Sequence, residues 1–222
     1  MQLAGHRVTA DTLREGVVVQ ATPSWEIICA KERAPEGEKD PWCTNSFTWK
    51  PKTTSRIVNT GTQRKVVVWN LNGMEHRFRS GELLRFLDEE SPDIMFGSEV
   101  IQPLPILIEK LGPRLRLEIS EARGYFSYFF WPESDGTRNK WGVCLLSREE
   151  PIRLDFGFDD KEADKEARVI IAEYTEVVYL FSYSPCTKWK SDEKEVRRTR
   201  HDTLLRETAA SIERTRSKKV LL

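Results

Sequence analysis

At Lys65 the texture of the chain changes, and the run that begins there restricts the fold more than any other stretch. Lys65-Val-Val-Val-Trp-Asn70 is a β-branched segment that leads into the turn-prone Leu71-Asn-Gly73, the pattern of a buried strand ending in a loop. Ser80 is placed to cap a helix in which Leu83, Leu84, Phe86 and Leu87 form an apolar face and Asp88, Glu89 and Glu90 a wet one, before Pro92 stops it. Asp93-Ile-Met-Phe-Gly-Ser-Glu99 is then a second apolar run of strand length. Strand, helix and strand at this spacing predict a βαβ-type unit, and so an α/β fold.

Further along, a proline-broken helical stretch is expected from Pro105 to about Leu111. Strand-like runs come next, at Tyr125 to Trp131, Trp141 to Ser147, Ile152 to Phe158, Arg168 to Tyr174 and Val177 to Ser182. Their succession predicts an antiparallel portion. Residues 191 to 216 are highly charged, with Val196, Leu204, Leu205, Ala209 and Ile212 at mostly helical spacing, and read as a surface helix. Lys219-Val-Leu-Leu222 begins another strand. Residues 1 to 64 mix charges, prolines and threonines without a sustained period. They are expected to form a mostly irregular extension in which Trp25 to Ala30 can pair or dock, with the domain occupying residues 65 to 222.

With 222 residues the chain suits one large domain, with or without an appendage. Lys plus Arg number 35 and so do Asp plus Glu, so any argument for a nucleic-acid or membrane surface must be local. No run approaches the roughly 18 apolar residues of a membrane helix, and the first twenty residues lack a secretory apolar stretch. A soluble intracellular protein with no membrane partner is expected. Cys29, Cys43, Cys144 and Cys186 lie far apart with no CxxC pair, which suits reduced thiols better than structural zinc. Only His6, His76 and His201 are available as imidazoles, so carboxylates must supply any hard-metal chemistry.

Asn70 and Asn72 come after one strand and Glu99 closes the next. Side chains at the carboxyl ends of adjacent strands converge on a crevice, where two amides and a carboxylate can hold a hard cation such as Mg2+ through oxygen. The bland alternative is a turn at Asn72-Gly73 and a strand end at Glu99 that merely meets water. Arg138 and Lys140 in a polar loop, and Arg168 at a strand start, suit phosphate or an ordinary ion pair. Tyr183, just before Pro185, suits either a ligand hydrogen bond or packing. Residues 187 to 219 hold eleven basic side chains against six acidic ones, a local excess of five. Trp189 with Arg197, Arg198 and Arg200 therefore fits a nucleic-acid backbone, or a charge-laced helix facing water.

Taken together, these pieces resemble the exonuclease III class of abasic-site endonucleases, within the endonuclease/exonuclease/phosphatase superfamily. Val68-Trp-Asn-Leu-Asn-Gly73 is similar to the first motif of that class, Ser91-Pro-Asp-Ile-Met-Phe-Gly-Ser-Glu99 to its second, and Trp141-Gly-Val-Cys-Leu-Leu-Ser147 to its Gly-Val-x-x-Leu-Ser strand. Gly157-Phe-Asp-Asp-Lys-Glu-Ala-Asp-Lys-Glu-Ala-Arg-Val-Ile170 resembles a long family stretch, and Tyr183-Ser-Pro185 the Tyr-x-Pro-Asn motif, with Cys186 in place of the asparagine.

The resemblance implies a four-layered α/β sandwich, present here in part, with an incomplete second sheet. It implies Glu99 as principal ligand of Mg2+ (or Mn2+), Asn72 as its assistant, and Asn70 as support for the ion and the scissile phosphate. Tyr183 would touch that phosphate and Arg168 would brace its strand. The implied activity is Mg2+-dependent cleavage of duplex DNA 5′ to an abasic site in base-excision repair, by a monomer in the nucleus or mitochondrion of a eukaryote. The family's Gly-Asp-x-Asn motif would come after Leu222, and its Ser-Asp-His motif lies later still. These supply the water-orienting Asp and the His, so a C-terminally truncated, inactive form is expected. The alternatives are a non-catalytic nucleic-acid-binding remnant or another phosphodiesterase or phosphatase of the superfamily.

Overall fold

The computed structural model describes residues 64–101, 111–132, 141–186 and 192–222, together with the backbones of three short strands upstream, β1 (Val19–Gln20), β2 (Glu26–Ile27) and β3 (Ser46–Trp49). β4 (Val66–Asn70) and β5 (Ile94–Ser98) lie parallel, as the strand–helix–strand pattern requires. β6 (Phe126–Phe130) and β7 (Val143–Ser147) extend the sheet antiparallel in the order β3-β6-β7-β5-β4. The sheet therefore draws an edge strand from residues 46–49, upstream of the change in texture at Lys65.

A second sheet runs β11-β10-β9-β8, from β8 (Arg153–Phe156), β9 (Val169–Glu173), β10 (Val177–Ser182) and β11 (Lys219–Leu221). Its first three strands are antiparallel, and β11 returns parallel to β10. The succession of strands expected from the sequence is present, but it divides between the two sheets after β7.

Five helical pieces complete the described residues: α1 (Met74–Arg79), α2 (Glu82–Glu90), α3 (Gly112–Leu115, continued by a π-helical turn over Arg116–Glu121), α4 (Lys161–Asp164) and α5 (Asp192–Arg216). Ser80 is not the N-cap residue of α2, although its Oγ accepts the Glu82 N–H at 3.4 Å. It ends α1, and Gly81, at φ 75°, stands at the start of α2. The π-turn helix, with Leu111, Leu115 and Ile119 buried one turn apart, comes after the stretch expected to be helical from Pro105; residues 105–110 lie outside the described residues.

Strand alternation sorts side chains into three cores. Met95, Cys144, Leu146 and Phe129 pack outward against α1, α2 and α3. Ile94, Phe96, Val143 and Leu145 face inward, where they meet Ile170, Ala172, Tyr179 and Phe181 of the second sheet. Val169, Ile171, Val178 and Leu180 turn the other way, onto Leu205, Ala209 and Ile212 of α5. The result is a mixed α/β fold in four layers: helices, sheet, sheet, helix. Val196 has no part in the α5 contact and is 68% exposed. Gly97 is set by close packing, because a Cβ there would lie 2.6 Å from Cys144 Sγ and 2.8 Å from Leu71 Cδ1.

Candidate active site at the mouth between the sheets

The parallel ladder of β4 and β5 does not stop where the strands do. Leu71 N–H donates to Ser98 O at 2.9 Å, Gly73 N–H to Glu99 O at 2.8 Å and Met74 N–H to Val100 O at 3.1 Å, so the two exit loops are laced together. Val100 and Ile101 N–H then donate to Gly142 and Trp141 O, each at 3.2 Å, and draw in the entry to β7. This lacing bends the chain. Asn72 (φ 46°), Glu99 (φ 53°) and Ile101 (φ 60°) all hold left-handed backbone, which is a genuine outlier for the β-branched Ile101. Such strain persists where the surroundings over-determine it, and it gathers at functional sites.

The expected residues meet here. Asn70 Oδ1 accepts the Asn72 N–H at 3.0 Å and so shapes the loop that carries both exposed amides. Glu99, on the neighbouring loop, accepts a hydrogen bond at Oε1 from the hydroxyl of Tyr183, which arrives from the end of β10 in the second sheet. Burial first, and then the carboxylate of Glu99, push the Tyr183 phenol up to about 12. It is therefore protonated near neutral pH and must be the donor in this pair.

Arg168 lies directly behind Tyr183. Only 2% exposed, its guanidinium stacks between the rings of Trp141 (4.4 Å) and Tyr183 (4.8 Å). Its Nε donates to Glu166 at 2.6 Å and its Nη1 to Tyr183 O at 3.0 Å. In return Tyr183 N–H donates to Arg168 O at 2.9 Å. The residue is occupied inside the protein, so the bracing role fits it better than a phosphate contact. Sequence spacing alone does not disclose the ring stack, because Trp141 and Tyr183 are distant in the chain.

The donor set suits a hard cation in part. Mg2+ is commonly held by one or two carboxylates and completed by waters and substrate phosphate. Glu99 meets that minimum with the oxygen not engaged by Tyr183, on a loop laced through its backbone to the one that carries Asn72. No group of three or more His, Cys, Asp or Glu able to hold a metal occurs among the described residues.

The residues suggested for nucleic-acid contact fare differently. Arg138, Lys140 and Trp189 lie outside the described residues. Arg197, Arg198 and Arg200 sit on α5, away from the Glu99 loop in sequence, and each is paired within the chain: with Glu166 at 2.7 Å, Asp202 at 2.7 Å and Asp160 at 2.6 Å. Arg198 Nη1 also donates to Pro185 O at 3.3 Å. His201, to which the sequence assigns no role, is buried beneath this helix with Nε2 at 2.7 Å from Ser182 Oγ. Among the described residues no helix is long and apolar enough to cross a membrane.

No protein-family model matches the chain. It is 26% identical over 122 residues to an exodeoxyribonuclease of Bacillus subtilis, a match covering 54% of this chain and 42% of that protein. It is 27% identical over 121 residues to the DNA repair nuclease APEX1 of Danio rerio, covering 54% and 36% respectively. The matches thus span less than half the length of either relative.

Among solved structures, it resembles the 3′ phosphatase NExo from Neisseria bound to product DNA hairpin (TM-score 0.56, 20% identity, 69% of this chain and 54% of that one). It also resembles the catalytic domain of Xenopus laevis APE2 (TM-score 0.50, 20% identity, 68% and 54%). The two packed sheets with outer helices are thus the fold of the endonuclease/exonuclease/phosphatase superfamily. In sequence the chain is similar to proteins named exodeoxyribonuclease, DNA repair nuclease and DNA-(apurinic or apyrimidinic site) endonuclease.

Proposed function

We propose that the Glu99 mouth is the metal side of a DNA-repair nuclease site, one that cuts a phosphodiester of duplex DNA 5′ to an abasic residue. The observation that carries this reading is the convergence of three separated sequence elements, Asn70–Asn72, Glu99 and Tyr183, from both sheets onto one strained corner. Similarity to an exodeoxyribonuclease and to DNA repair nuclease APEX1 supports the substrate class.

Glu99, assisted by Asn72, would hold Mg2+ or Mn2+, which when bound polarises the phosphodiester and offsets its developing charge. Asn70 supports the loop and reaches toward the scissile phosphate. Tyr183 fixes the carboxylate through its hydroxyl and stands at the edge where a phosphate oxygen would rest. The described residues place no general base beside these groups, since His201 is turned to Ser182 and Asp164 to the N–H groups of Phe158 and Asp160.

The test has two parts. Mn2+ titration of the chain should show a site that Glu99→Gln removes. Duplex DNA bearing one abasic site, incubated with the protein and Mg2+, should be cut 5′ to the lesion, and EDTA should stop it. Cutting that ignores EDTA, or that leaves the abasic strand intact while another phosphodiester breaks, would overturn the assignment. The nucleic-acid-binding alternative gains little from Arg197, Arg198 and Arg200 of α5, each of which already pairs with an acid of the chain.

A further inference from the structure

We propose that Arg168 is a positioning residue for this site, holding Tyr183 against Glu99, and that Glu166 carries the same restraint to helix α5. The functional consequence rests on the nuclease reading above, whereas the geometry stands without it.

Three segments meet at the guanidinium. Its own backbone pairs with Tyr183, its Nη1 donates to Tyr183 O at 3.0 Å, and its plane is stacked on the Tyr183 ring. Its other face covers Trp141, whose carbonyl holds Ile101 two residues beyond Glu99. One side chain thus fixes Tyr183 from behind and, through Trp141, the loop on which Glu99 sits. Glu166 orients the guanidinium at Nε with Oε2, and with Oε1 it accepts from Arg197 of α5 at 2.7 Å. The helix adds two more restraints on the same strand end: His201 to Ser182 at 2.7 Å, and Arg198 to Pro185 O at 3.3 Å. A planar, stacked and hydrogen-bonded guanidinium fixes two rotational degrees of freedom that a lysine ammonium would leave free.

The test reads Tyr183 directly, in the full chain at neutral pH. The sequence holds five tyrosines, so labelling each at 13Cζ gives a five-signal spectrum that reports phenol hydrogen bonding. Tyr183→Phe assigns the signal, and Glu99→Gln marks its position when no carboxylate accepts the bond. In Arg168→Met the Tyr183 signal should move toward the Glu99→Gln position while those of Tyr174 and Tyr179 in the core stay. A Tyr183 signal that does not move overturns the proposal. Arg168→Lys keeps the charge without the plane and should behave like the methionine variant; a wild-type signal there overturns it too. If Arg168→Met fails to fold, the partly exposed Glu166→Gln should give the same movement, and its absence counts against the proposal equally.

Mn2+ supplies the second readout. Removing a cation near a carboxylate should tighten metal binding by charge alone, whereas loss of positioning should weaken it, by about tenfold as for other residues that orient a ligand. Tighter or unchanged binding in Arg168→Met overturns the proposal. If the wild-type protein shows no Mn2+ site that Glu99→Gln abolishes, the metal reading fails, and the Tyr183 signal still decides the role of Arg168.

Discussion

The mouth at Glu99 and the underside of α5 both gather polar groups, and they do so to different ends. At the mouth, Asn72, Glu99 and Ile101 hold left-handed backbone so that loops from two strands, and a hydroxyl from the other sheet, face one another. Under α5 left-handed residues also occur, at Asp159 and Ala167, but the polar groups there are folded into packing: His201 against Ser182 and the edge of Phe158, Asp164 onto two backbone N–H groups. Arg197, Arg198 and Arg200 of α5 are likewise matched by Glu166, Asp202 and Asp160. Density of charge and aptness for chemistry are therefore separate properties in this molecule. The charge-poor corner, which the backbone bends to assemble, is the better candidate site.

If that contrast is right, the pH dependence of stability belongs to the α5 side. Burial, aided by the nearby Arg168, holds His201 down to about 4, from an ordinary value near 6.5. Burial pushes Asp164 up to about 6, from an ordinary 3.8. Between pH 4 and 6.5 the unfolded chain takes up the histidine proton more readily, so this group makes stability fall as pH drops. Between 3.8 and 6 the native chain holds the aspartate proton more readily, so Asp164 makes stability fall as pH rises. Each effect is on the order of 3 kcal/mol, and they oppose one another. Urea unfolding at pH 4, 5 and 6 should give His201→Asn a stability that declines with rising pH and Asp164→Asn one that increases. Slopes of the same sign in the two variants would dissolve the distinction.

A second break is steric. Gly97→Val forces side-chain volume against Cys144 and Leu71 behind the corner, and urea midpoints should fall by an amount equivalent to about 1–3 kcal/mol. Smaller still is Tyr183→Phe, which should weaken Mn2+ binding about tenfold, roughly 1.4 kcal/mol, with little loss of stability. The smallest effect belongs to the surface pair. Arg200→Gln removes an ion pair whose arginine is half exposed, and should leave the urea midpoint nearly unchanged. Titration of duplex binding against salt should change little as well, and a marked loss of slope would return α5 to consideration as the DNA surface.

Much of the fold was legible because hydrophobic period is a local property. The β-branched run at Val66–Asn70, the helix face of Leu83 and Leu87, and the wholly buried run Ile94–Ser98 need no distant partner to be recognised. What stayed hidden depended on pairing. Nothing local says that β7 inserts between β5 and β6, or that β8 leaves for another sheet. Helix α3 was obscured because Gly112-Pro113 opens it and reads as punctuation. Of the site, Asn70, Asn72, Glu99 and Tyr183 could be singled out as strand-end polar residues, and the family resemblance gave them roles. The Arg168 clamp could not be seen, because it joins Trp141, Glu166 and Tyr183 through space. The pairing of Arg197 and Arg200 stayed hidden for a related reason: an excess of basic residues in a window does not reveal acids supplied by another segment.

The aromatic contact between the sheets has one further consequence. Phe96 and Phe181 lie flat against each other, centroids 4.8 Å apart and planes within 7°. Phe96 precedes Glu99 by three residues, and Phe181 precedes Tyr183 by two. The ring pair therefore acts as a gauge block, fixing the gap across which the phenol and the carboxylate must touch. Shear of one sheet over the other would separate them before it disturbed either loop, so the tolerance of the mouth is set in its oiliest layer.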